Sequence, residues 1–98
     1  MNRLDSEPYR FSGPHRAPLA ALFARAADAP DREMPGLDDA VRAFAREARF
    51  EGIPSERVVI ALKDIATGAA PGRADLTDYR RLVERLVVLT IDTYYRAD

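Results

Sequence analysis

One histidine and no cysteine bound the chemistry open to this 98-residue chain. His15 stands between Pro14 and Arg16, with no second imidazole and no thiol to join it. A multi-His metal site, a thiolate zinc site and an iron–sulfur cluster therefore cannot be assembled within one chain, and with His15 in an expected flexible tail no His-assisted nucleophile is expected. Carboxylates are plentiful but fall in structural places. Asp38 with Asp39, and Asp75 with Asp78, lie where helices are expected to begin, and neither pair has the Glu-x-x-His spacing of a di-iron bundle. The five glycines, Gly13, Gly36, Gly52, Gly68 and Gly72, occur singly at breaks in the apolar pattern, so no glycine-rich phosphate loop is present. Asp92 is a lone carboxylate in an otherwise uncharged run, and Arg96, four residues on, is its expected partner. The expectation is a protein without catalytic residues, cofactor or metal, hence not an enzyme.

Two further patterns concern surfaces. Arg42, Arg46 and Arg49 recur at helical spacing, a row able to contact phosphates, although Asp38, Asp39 and Glu47 border it. Just beyond, Ala48, Gly52, Ile53 and Val58 loosely resemble the small-residue, turn-glycine and apolar positions of a helix-turn-helix, over barely twenty residues. Glu47 and Glu51 stand where that motif is usually apolar, and Pro54 intrudes on its turn. The resemblance implies a DNA-binding regulator as an alternative function, with Arg42, Arg46, Arg49 and Arg57 as its contacts. Glu56 and Asp64 nearly neutralise the would-be reading helix, which weakens any phosphate attraction.

The elements that must carry these residues are helical by periodicity. Leu19, Leu22, Phe23 and Ala26 share a face from Pro18 onward, predicting a helix over 18–28. The stretch 29–36, with Pro30, Pro35 and Gly36, reads as a linker. Leu37, Val41, Phe44 and Ala48 predict a helix over 37–50, with Asp38 and Asp39 complementing the dipole of its first turn. Gly52 and Pro54 separate it from a third helix, 55–67, marked by Val58, Leu62 and Ile65 and ended by Gly68. A long fourth helix, 76–96, is capped by Asp75 or Thr77 and turns Leu76, Tyr79, Val83, Leu86, Thr90, Thr93 and Tyr94 inward. The β-branched runs 57–62 and 87–91 suit strands on propensity. Each lies inside a longer helical pattern without turn residues, so helix is expected for both. The predicted fold is all-α, a small bundle of four helices in one domain over 17–98, preceded by a flexible tail over 1–16. Tyr9 and Phe11 in that tail form a short candidate docking motif.

Composition agrees with an ordinary small domain: 47% hydrophobic, 32% charged, with 15 basic against 16 acidic residues. A net charge of -1 gives no reason to expect a polyanionic partner. No run approaches the roughly 18–20 apolar residues of a membrane helix, and the polar start lacks the apolar core of a signal peptide. With cysteine absent, a cytoplasmic location is the expectation.

What remains unexplained is an excess of apolar surface. On a wheel of about 100° per residue, the apolar residues of the fourth helix spread over more than half its girth. A small bundle needs a stripe of little more than about 100° per helix. Val88 and Tyr95, seven apart and therefore stacked, fall among the charges, with Ile91 beside them. Ile60 stands likewise among Glu56, Arg57, Lys63 and Asp64 on the third helix. Burying all four completely would contribute about 6–12 kcal/mol gross. The expected function is thus a small helical interaction protein, an adaptor, regulatory subunit or self-associating accessory factor. Its contact residues are Ile60, Val88, Ile91 and Tyr95, and its partner is another protein or a second copy.

Overall fold

The computed structural model describes residues 3–30, 34–73 and 76–96, with side chains from Gly13 onward. Four helices form the bundle: α1 (Arg3–Asp28), α2 (Pro35–Phe50), α3 (Ser55–Ala69) and α4 (Thr77–Arg96). No strand occurs among the described residues, and both valine-rich runs lie inside helices. Asp75, one of the two expected caps of α4, lies outside the described residues.

The termini of α2 show why the chain breaks where it does. Pro35 occupies the first turn, where its missing N–H costs nothing, and the Met34 carbonyl accepts from the amides of Leu37 and Asp38. At the other end Gly52 takes a φ of 75°. Its amide donates to the Arg49 carbonyl at 3.1 Å, and the Ile53 amide donates to the Ala48 carbonyl at 2.9 Å. This is a Schellman closure, in which a left-handed residue lets two amides satisfy the last carbonyls of the helix. Pro54 then leads directly into α3, its carbonyl accepting from the amides of Arg57 and Val58.

Four boundaries differ from the sequence expectation: α2 begins at Pro35, inside the expected linker, α4 begins at Thr77 and not residue 76, and α1 and α3 extend further. Of the expected tail, Gly13–Arg16 are helical and belong to α1, which runs through Pro14 and Pro18. Proline propensity argues against this, but tertiary contact overrides it. The His15 ring meets Phe44 of α2 edge-on at 5.6 Å, and Arg16 pairs with Asp64 of α3 at 2.8 Å. Tyr9 and Phe11 lie among the positions whose side chains are not described. α3 also continues past Gly68 to Ala69 and stops before Pro71, which restricts the residue preceding it.

Side-chain contacts fix the topology. Arg16 with Asp64 and Arg73 with Asp28 show that α1 and α3 run parallel. Asp38 with Arg85, and Arg49 with the Tyr94 carbonyl, show the same of α2 and α4. Ser55 with Tyr95, and Tyr79 with the Ala66 carbonyl, make α3 and α4 antiparallel. Around the bundle the helices follow the order α1, α2, α4, α3, so α2 and α3, though joined by the short Gly52 turn, lie on a diagonal. The core between them is formed by Leu19 and Phe23 of α1, Leu37, Val41 and Phe44 of α2, Val58, Leu62 and Ile65 of α3, and Tyr79 and Leu86 of α4, all essentially inaccessible. Phe23 and Tyr79 meet edge to face, with centroids 6.4 Å apart, a geometry the aromatic quadrupoles favour. Polar groups that enter this core are satisfied: the Thr90 hydroxyl donates to the Leu86 carbonyl and the Tyr79 hydroxyl to the Ala66 carbonyl. Leu76, expected to face inward, is instead exposed, because it precedes the first turn of α4.

Candidate functional site

The four apolar residues singled out on α3 and α4 all stand in solvent. Ile60 and Val88 are each 66% exposed, Tyr95 60% and Ile91 40%. Their neighbours toward the core, Val59 and Val87, are half-buried. Whether the four form one surface depends on register, which the Ser55–Tyr95 contact supplies. In antiparallel helices facing residues have a roughly constant index sum, 150 for the Ser55–Tyr95 contact and 145 for Ala66–Tyr79, so Ile60 stands between the levels of residues 85 and 90 of α4. Val88 lies within that span, Ile91 at its edge and Tyr95 one to two turns beyond. All four are exposed and, by their wheel positions, turn toward the outer side of the α3/α4 pair.

Tyr95 is held in place by two contacts. Its hydroxyl and that of Ser55 hydrogen-bond at 2.8 Å, and its ring meets Tyr94 edge-on at 5.1 Å. Tyr94 is itself anchored, donating from its hydroxyl to the Ile53 carbonyl at 2.5 Å. A fixed aromatic ring loses less rotamer freedom on contact than a free one, which favours its use as an anchor. Asp92, beside this face, pairs with Arg96 at 2.9 Å, the partner expected from the sequence.

The basic row on α2 is largely engaged within the chain. Arg42 pairs with Asp39 at 3.0 Å. The Arg49 guanidinium donates to the Tyr94 carbonyl at 3.4 Å and lies 5.3 Å from the centre of the Tyr94 ring, satisfying a terminal carbonyl of α4 and contacting its aromatic side chain. Arg46 and Arg57 are exposed, on helices that lie diagonally across the bundle. α2 and α3 also run in opposite senses, whereas a helix-turn-helix crosses its two helices at about 90–120°.

Elsewhere among the described residues, several charged groups are paired with one another. An open cleft of about 690 Å³ between α2 and α4 is lined by Asp38, Asp39, Asp78, Arg42, Arg81 and Arg85. Four of these six charges are tied up, Arg42 with Asp39 and Arg85 with Asp38. His15 has a structural place against Phe44, not in the loose tail the sequence suggested. At the end of α2, a hydrogen bond with Glu47 is the main cause holding the Glu51 carboxyl above its usual range, followed by desolvation and the Glu47 charge, with His15 opposing. Among the described residues no group of three or more His, Asp or Glu is arranged to hold a metal ion, and no described helix is long and apolar enough to cross a membrane.

Two features escaped the sequence reading. Phe50 is 90% exposed at the end of α2. The wheel carries that signal, since residue 50 lies about 200° from Ala48 and so off the inward face. The capping role of Arg49 has no sequence signal, because its target is 45 residues away. Comparison of the chain with protein-family models, curated proteins and solved structures gives no match.

Proposed function

We propose that this chain is a small non-enzymatic interaction protein, an adaptor, regulatory subunit or accessory factor, that docks through α4 and the adjoining part of α3. Ile60, Val88, Ile91 and Tyr95 are its contact residues. One observation carries the reading: four large apolar side chains on the neighbouring helices α3 and α4 stay exposed on a bundle whose core is closed without them. Scattered single exposures are normal in soluble proteins, whereas an apolar surface shared by two neighbouring helices marks a docking site.

The magnitudes set the strength of the contact. With 40–66% of each side chain still exposed, covering all four contributes about half of the full burial value, roughly 3–7 kcal/mol gross. Losses of rigid-body freedom and side-chain ordering are of similar size. The two nearly cancel, so the four side chains by themselves give a weak, reversible contact that polar groups at the rim strengthen.

The test is a paired capture from host extract, with the wild-type chain and Val88→Glu as baits, both verified as helical by circular dichroism. Recovery of a defined protein by the wild type and its loss with Val88→Glu supports the reading. Equal recovery by both baits overturns it.

A further inference from the structure

The outer face of α3 carries charges arranged symmetrically in position and oppositely in sign about Ile60. Glu56 and Lys63 lie on the side of that face toward α4, at about 120° and 100° from Leu62 on the helical wheel. Arg57 and Asp64 lie on the side toward α1. All four are exposed. Glu56 and Lys63 make no ion pair among the described residues, while Asp64 is shared with Arg16. Turning a copy of α3 end for end about Ile60 keeps each side of the face on its own side. It then brings Glu56 opposite Lys63 of the copy and Arg57 opposite Asp64 of the copy. The same turn applied to α4 between Leu89 and Thr90 sets Val88 against Ile91 of the copy, and Glu84 against the Tyr95 hydroxyl of the copy. These two centres have an index sum of about 150, the sum of the Ser55–Tyr95 contact, while the Ala66–Tyr79 contact has a sum of 145. They are therefore within about one turn of the same height, and a single two-fold axis lying in the face and nearly perpendicular to the helices serves both.

We infer that the partner on this face is a second copy of the chain. The chains form an isologous dimer in which α3 packs on α3 and α4 on α4, antiparallel, with Ile60, Val88 and Ile91 at its centre and Glu56–Lys63 pairs at its rim. This rests on the docking face proposed above and adds its occupant. Charge complementarity carries the assignment: a two-fold axis repeats every pair, so a face that matches itself once matches twice.

The test is the oligomeric state of the full chain by sedimentation velocity and light scattering, up to about 1 mM, the concentration that reveals even the weakest specific contacts. The wild type is expected to dimerise with rising concentration, and Val88→Glu to remain monomeric. Glu56→Lys and Lys63→Glu alone each place like charges opposite twice per dimer, weakening association about tenfold. The double reversal Glu56→Lys/Lys63→Glu restores it to near the wild-type value. A monomeric wild type overturns the dimer and leaves the docking face to the capture experiment. A dimer indifferent to Val88→Glu overturns both. A dimer sensitive to Val88→Glu but without rescue by the double reversal overturns the antiparallel arrangement.

Discussion

The hydroxyl of Tyr94 donates to the carbonyl of Ile53 at 2.5 Å, tying the last turns of α4 to the turn that joins α2 and α3. Tyr94 is 8% exposed, and the Arg49 guanidinium packs over its ring and donates to its carbonyl, so three elements converge on one residue. Tyr94→Phe keeps the ring and leaves the Ile53 carbonyl without this donor. The expected loss is about 1–2 kcal/mol, read as a fall in thermal midpoint of roughly 4–8 °C per kcal/mol for a chain of this size. An unchanged midpoint would show that water replaces the hydroxyl at no cost.

Alkaline stability is expected to depend on Tyr79. Burial pushes its hydroxyl up to about 12, from an ordinary value of 10. Because the folded-state value is the higher one, the unfolded chain loses this proton first as pH rises. The stability tied to the neutral phenol is therefore fully present below about pH 10 and lost between about pH 10 and 12, some 2–3 kcal/mol in all. Tyr79→Phe also removes the hydrogen bond to Ala66, so it should be less stable at pH 7 yet lose less between pH 10 and 12. Urea midpoints measured across that range for both proteins check the slope.

Two phenylalanines six residues apart on α2 should behave oppositely. Phe44 is wholly buried and Phe50 is 90% exposed. Phe44→Ala leaves a cavity among Leu37, Val41 and their partners, and is expected to cost about 3–5 kcal/mol. Phe50→Ser should change stability by less than about 0.5 kcal/mol. Chemical denaturation of the two variants is decisive, and equal losses would contradict the placement of α2.

Glu51 supplies a gain. Its carboxyl sits above the usual range chiefly through its hydrogen bond with Glu47, so a pair of adjacent negative charges near the end of α2 is unfavourable at neutral pH. With the folded value raised, the favourable protonated arrangement is present at low pH and lost as pH rises through the carboxylate range. Glu51→Gln should therefore raise the thermal midpoint at pH 7 and have little effect at pH 4. A midpoint raised equally at both values would rule out the charge explanation.

The faces of α2, α3 and α4 were legible because apolar spacing is a local property: Leu37, Val41 and Phe44, or Val58, Leu62 and Ile65, record their side of the helix directly. The same arithmetic located Ile60, Val88, Ile91 and Tyr95 on the outside. It could not bring them together, since the position of α3 beside α4 is set by packing between distant residues such as Ser55 and Tyr95. The helical part of α1 before Pro18 was hidden for the same reason. Its prolines speak locally against helix, while the Phe44 ring and Asp64 that engage His15 and Arg16 lie 29 and 48 positions further on.

The order of helices around the bundle bears on how the chain comes to be folded. Each hairpin, α1 with α2 and α3 with α4, has its broadest contacts with the other hairpin and not within itself. Neither half can therefore close its own interior. Each half keeps an oily side uncovered until the other packs against it, so the two halves become stable together.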